Sequence, residues 1–184
     1  MGSLEGMKIQ LDGIAHVLAD NRLSVPRYQR SYAWETKNIT DLFNDLADAI
    51  RQNAKDYFLG SIVITGTLKD RLEVVDGQQR LATTSILLAA IRDYFYTNGD
   101  RDRAEDISST FLMHRNLRDQ EKVPKLFLND VDRDFYSKRI LTNPGDSRRN
   151  ITSPKESHKR LENAARLAEE RINSRNYSGG LESR

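Results

Sequence analysis

Five consecutive residues, Asp76-Gly77-Gln78-Gln79-Arg80, place a carboxylate, a glycine, two amides and a guanidinium side by side. Val74 and Val75 precede them and the apolar run that opens at Leu81 follows, so they fall where a strand hands over to a long helix. The free N–H groups and dipole of a helix start favour an anion, which is either the Asp76 carboxylate as a cap or a phosphate from outside. Gly77 permits a tight turn and close backbone approach. Arg80, one turn in, can grip phosphate oxygens in bidentate fashion. Gln78 and Gln79 can orient a water or read an amide-like base edge, and Asp76 can help hold a hydrated Mg²⁺. The competing reading is a plain helix start, with Asp76 as its cap and the glutamines and Arg80 in solvent.

A second polar stretch, VPRYQRSYAW (25–34), has neither helical nor strand periodicity, and Pro26 disfavours helix at Val25. In an extended chain, alternation aims Arg27 and Gln29 to one side, with Arg30 close by. Tyr28, Tyr32 and Trp34 offer stacking faces to a base, while the arginines offer charge to phosphates. Equally, the aromatics can pack a core and the arginines can face water.

Taken together, VPRYQRSYAW and VVDGQQRLATTSILLAAI (74–91) resemble the N-terminal domain of the GmrSD type of modification-dependent restriction enzymes, a domain also found in the SspE protein of phosphorothioate-based phage defence. The resemblance continues through KLFLNDVDRDFYSKRIL (125–141) and SPKESHKRLENAARLAEERI (153–172). It implies a fold similar to ParB and sulfiredoxin and a DGQQR motif tied to nucleotide binding and hydrolysis. That motif is carried onto Asp76, Gly77, Gln78, Gln79 and Arg80, and the family's PxYQRxYxW pattern onto Pro26, Tyr28, Gln29, Arg30, Tyr32 and Trp34. The implied assignment makes Asp76, Gln78, Gln79 and Arg80 catalytic, with Asp76 also holding Mg²⁺. Arg27, Tyr28, Gln29, Arg30, Gly77 and Arg80 bind the nucleoside triphosphate, and Tyr32 and Trp34 stack on its base. The implied partners are DNA, modified or not, a C-terminal HNH-type nuclease domain or subunit, and a second copy of the chain.

Two departures bound the inheritance. His16, His114 and His158 are scattered, so HNH cleavage is not expected of this chain, and there is no cysteine for sulfiredoxin's chemistry. No Walker A sequence is present, so nucleotide hydrolysis would not be of the P-loop kind. Three functions stay open: a module that hydrolyses a triphosphate to gate DNA recognition or cleavage, a DNA-binding module that senses modification without hydrolysis, and a direct ParB-like nuclease.

The elements that must position these residues follow from composition and pattern. The chain has 184 residues and a net charge of +2 from 29 basic and 27 acidic side chains, so bulk charge points to no polyanion and a basic site must be local. The missing cysteine fits a cytoplasmic protein, and no apolar run is long enough for a membrane span. MGSLEG (1–6) reads as a vector remnant. Helices are expected over 14–21, over 38–53 with Asn38 or Thr40 as cap, and from Arg80 to about Asn98 with Gly99 as stop. Strands are expected over 57–65 and 71–77, joined by GTLKD.

A helix is then expected over 101–117, an extended stretch over 122–130 and a helix that turns Val131, Phe135 and Ile140 inward. A linker spans 142–154 ahead of a last basic helix. The class is α+β: a small mixed sheet with packed helices in a nucleotide-binding core (7–100), a helical extension (101–175) and a flexible tail (176–184). Asp41, Asp45 and Asp48 share one helical face and read as solvated rather than as a metal cluster. Arg148, Arg149, Lys155, Lys159 and Arg160 form a local basic cluster that could touch DNA phosphates, with Asp146, Glu156 and Glu162 interspersed. His114 and His158 read as surface or boundary residues.

Overall fold

The computed structural model describes residues 12–54, 57–68, 71–116 and 120–178. Its class is α+β, a small mixed sheet with helices around it and a helical C-terminal part. Along the chain come α1 (Ile14–Asp20), β1 (Leu23–Ser24), α2 (Thr36–Arg51), β2 (Val63–Leu68), β3 (Arg71–Asp76) and α3 (Gln78–Thr97). They are followed by α4 (Arg101–Ile107), β4 (Met113–Arg115), β5 (Lys122–Pro124), β6 (Leu126–Phe127), the short α5 (Arg133–Phe135) and α6 (Glu156–Ser178).

The main sheet runs in the order β2-β3-β1-β6. β2 and β3 form an antiparallel hairpin, whereas β1 lies parallel to both β3 and β6, with Leu23 opposite Leu72 on one side and Leu126 on the other. Three parallel strands therefore release their chains at the same end of the sheet. β1 releases Val25–Trp34 there, β3 releases the Asp76–Arg80 turn, and β6 releases Leu128–Asp132. Ligands of open sheets with parallel strands bind at such carboxyl ends.

α3 is the axis of the core. Leu81, Ala82, Ile86, Ala89 and Ala90 are buried, and so are Thr83, Thr84 and Ser85 on its other sides. A helix enclosed all round belongs in the interior rather than on a surface. It packs against α4 and α6, whose Leu161, Ala164 and Ala168 join the same apolar cluster. Its hydroxyls are satisfied from across the core: Tyr32 Oη lies 2.8 Å from Thr83 Oγ1, and Tyr136 donates to Ser85 Oγ at 2.6 Å.

Several boundaries differ from expectation. The strand expected over 57–65 begins only at Val63 and continues through Gly66 to Leu68; the two turn residues 69–70 lie outside the described residues. The reason is Gly60, whose φ of +104° breaks the extended run. The cap of α2 is Glu35, not Asn38 or Thr40; Asn38 completes a capping box by accepting the Glu35 N–H at 3.2 Å. The helix expected over 101–117 stops at Ile107, passes through a wide π-type turn (Ser108–Leu112) and becomes β4, which pairs with β5. Val131 is exposed rather than inward, while Phe135 and Ile140 are buried as expected. α6 runs past 175 to Ser178. Among the described residues no helix is long and apolar enough to cross a membrane.

Candidate functional site

At the turn from β3 to α3 the capping position belongs to Gly77, at φ +85°, with no side-chain cap. That corrects the reading of Asp76 as the cap: it is the last residue of β3, paired with Val63, and its carboxylate is 64% exposed. Glycine is required at 77 by its φ and by space, since a Cβ there would lie 2.9 Å from Ile62 Cγ1 and 3.2 Å from the Ser61 carbonyl oxygen. The first turn of a 20-residue buried helix thus carries no capping side chain, and its residues wall an open pocket of about 440 Å³. Gln29, Arg30, Trp34, Val75 and Asp76–Arg80 line it. The two sequence stretches therefore meet in one cavity, brought there by parallel β1 and β3.

The glutamines are not solvated; each is 8% exposed. Gln79 Oε1 accepts the Ala33 N–H at 2.8 Å and its amide donates to the Ser31 carbonyl at 3.4 Å. Both ends of that amide are thus engaged by the backbone of the 25–34 loop. Gln78 donates to Gln29 Oε1 at 3.1 Å, and Gln29 donates to the Val75 carbonyl at 2.9 Å. This relay locks Gln78 and Gln29 together in the pocket lining.

Arg80 Nη2 donates to the Ser61 carbonyl at 2.6 Å and stands 3.8 Å from Asp76, beyond hydrogen-bond range. Arg30, exposed, and Trp34, half-buried, also line the pocket. The structure does not bring the other three residues of this stretch into the cavity. Arg27 turns out to pair with Asp130 at 2.6 Å, and Tyr28 projects with 75% of its surface exposed. Tyr32 is buried, with its hydroxyl on Thr83, so its ring belongs to the core and presents no stacking face; burial also raises its phenol pKa, against a lowering pull from Thr83.

Sequence reasoning missed the residues that hold this loop from below. Asp132, fully buried, accepts the Tyr32 N–H at 2.7 Å and the Ser157 hydroxyl at 2.6 Å. Asn129 donates to the Gln29 carbonyl at 3.0 Å. His158 is not at the surface: it is buried, stacks on Phe135 and hydrogen-bonds the Val131 carbonyl at 2.9 Å. The one available signal was position, since Leu128–Asp132 leaves a strand parallel to β1.

The basic cluster is dispersed. Arg149 points inward to Asp93 at 2.8 Å, and Arg148 clasps Asp146 at 2.7 Å, which depresses that carboxyl to about 2. Lys159 and Arg160 stand 3.6 Å from Glu156 and Glu35, leaving Lys155 exposed between them. Asp41, Asp45 and Asp48 each have a separate partner, in Lys37, Tyr57 and Arg51. Among the described residues no group of three or more His, Asp or Glu side chains could hold a metal ion. Among the described residues Asp76 is the one carboxylate lining the pocket.

The pocket thus lies at the carboxyl ends of parallel strands and is lined by both sequence stretches. The sequence model of the GmrSD restriction endonuclease N-terminal domain matches residues 14–179, and the chain belongs to that family. It is a module of restriction-endonuclease type, and membership implies work on DNA beside a nuclease domain carried elsewhere. No curated protein matches it.

Proposed function

We propose that this module binds and hydrolyses a nucleoside triphosphate in the pocket at the start of α3, and so couples nucleotide to DNA recognition or cleavage by a separate nuclease domain. The observation that carries the reading is the meeting, in one cavity, of an uncapped helix start with Arg30, Arg80, Asp76 and the Gln78–Gln29 pair. The α3 N–H groups and the two arginines would take the phosphate oxygens. Trp34 would lie against the base, and Gln78 Oε1 would hold the attacking water. Mg²⁺, when bound at Asp76 and the phosphates, would neutralise charge on the transferring group. Gln79 and Tyr32 would act by holding the loop that carries Gln29 and Arg30.

The experiment separates binding from turnover, with phosphate release and equilibrium binding measured on the same variants. Asp76→Ala is expected to lower kcat by about 100-fold with little change in affinity, and Arg80→Ala to weaken binding by about tenfold or more. Equal losses of both quantities in both variants would refute this division of roles.

A second reading, DNA binding without hydrolysis, is favoured by Arg27 and Tyr28, which project outside the pocket. It predicts DNA affinity that falls steeply with salt, is lowered by Arg27→Ala and is indifferent to added nucleotide.

A further inference from the structure

The segment Tyr57–Ile62, expected as strand, instead forms an irregular strap that passes over the start of α3. Its Ser61 carbonyl accepts the Arg80 Nη2 hydrogen at 2.6 Å. The same carbonyl oxygen, with Ile62, fills the space where a Cβ of Gly77 would stand. Gly60, at φ +104°, lies directly under the Arg80 guanidinium: a Cβ there would come within 2.9 Å of Cζ and 3.5 Å of Nε, and would overlap Nη1. Arg80 Nε is buried without a hydrogen-bond partner, and Asp76, at 3.8 Å, forms an ion pair but no hydrogen bond with the group. Packing on Gly60 and one carbonyl bond therefore fix the direction of the guanidinium.

We infer that the strap, through Gly60 and the Ser61 carbonyl, is the positioning element for Arg80, and that Gly60 is a positioning residue of the phosphate site. The inference rests on the nucleotide reading of the pocket. A carbonyl orients an arginine without neutralising it, whereas a carboxylate at the same place would compete with the incoming phosphate for the charge. The strap thus directs Arg80 through a neutral carbonyl. A β-carbon at residue 60 would displace the guanidinium or lift the strap from Gly77, and either change would misplace the charge.

The test is a double-mutant cycle on the full chain, read by fluorescence anisotropy with labelled GTP, ATP and CTP, with thermal unfolding midpoints taken on every variant. Gly60→Ala is expected to weaken nucleotide binding by about tenfold when Arg80 is present and by less than about twofold in the Arg80→Ala background, the mark of two residues acting as one unit. Equal losses in both backgrounds, or none in either, would overturn the inference and leave the nucleotide site standing. Wild-type protein that binds none of the three nucleotides, or Arg80→Ala that binds as wild type does, would overturn the nucleotide reading and the inference with it. Arg80→Lys keeps the charge but loses the planar group that lies on Gly60, and so serves even where Gly60→Ala does not fold. It is expected to bind about tenfold more weakly than wild type, and wild-type affinity in Arg80→Lys would overturn the positioning role.

Discussion

Gln79 shows how one side chain can sit in a catalytic-looking run and hold structure. Its side-chain carbonyl accepts the Ala33 N–H and its amide donates to the Ser31 carbonyl, so the loop bearing Gln29 and Arg30 is fastened to α3 through this residue. Gln79→Ala would leave the Ala33 N–H unpaired and is expected to cost about 1–3 kcal/mol. Urea unfolding checks this; a loss well below about 1 kcal/mol would mean that the bond to Ala33 carries no weight. Polar letters at a strand-to-helix handover marked the Asp76–Arg80 run as a candidate, and in the structure the run lines a pocket. Which of them would face the cavity was not legible, because Gln79 and Tyr32 find partners 46 and 51 residues away. Such partners are chosen by the sheet that brings the chains together, not by local spacing.

At the scale of elements, Arg92 ties α3 to the chain beyond α5. Its buried guanidinium donates to the carbonyls of Ile140, Leu141 and Thr142 at 3.0, 2.9 and 3.3 Å, and pairs with Asp93 at 2.5 Å. Asp93 also holds Arg149. Desolvation lowers the pKa of Arg92, against an opposing pull from Asp93. Arg92→Ala removes one partner of a buried network and is expected to cost about 3–5 kcal/mol in denaturant unfolding, where a loss below 1 kcal/mol would contradict the account. Helices α1 and α3 and strand β3 were legible from the placing of apolar residues, and the extended or looped stretch expected over 22–38 from Pro26, though α2 already begins at Thr36. The late start of β2 was not, because Gly60's positive φ answers to Arg80 and Gly77 rather than to its own neighbours. The early end of α4 was hidden likewise, since β4 exists by pairing with β5.

For the whole molecule, the packing crosses the expected division at residue 100. α6 lies along α3, and its Ser157 reaches Asp132, which in turn holds the Tyr32 N–H of the site loop. Residues 1–100 alone are therefore expected not to fold cooperatively, while the full chain unfolds in a single transition by circular dichroism and by Trp34 fluorescence. Two separated transitions would show that the core stands without its helical extension. The near-balance of 29 basic and 27 acidic residues holds in space as well, since most of the local basic cluster is paired. The positive groups at the pocket are Arg30 and Arg80, with the N–H groups of α3 between them. The measurement that tests this account most directly is calorimetric titration of the purified chain with GTP, ATP and CTP in Mg²⁺, with Arg80→Ala alongside. The account predicts saturable binding of at least one nucleotide by the wild type and binding about tenfold or more weaker in Arg80→Ala; a folded wild type that binds none, or a variant that binds equally well, would contradict it.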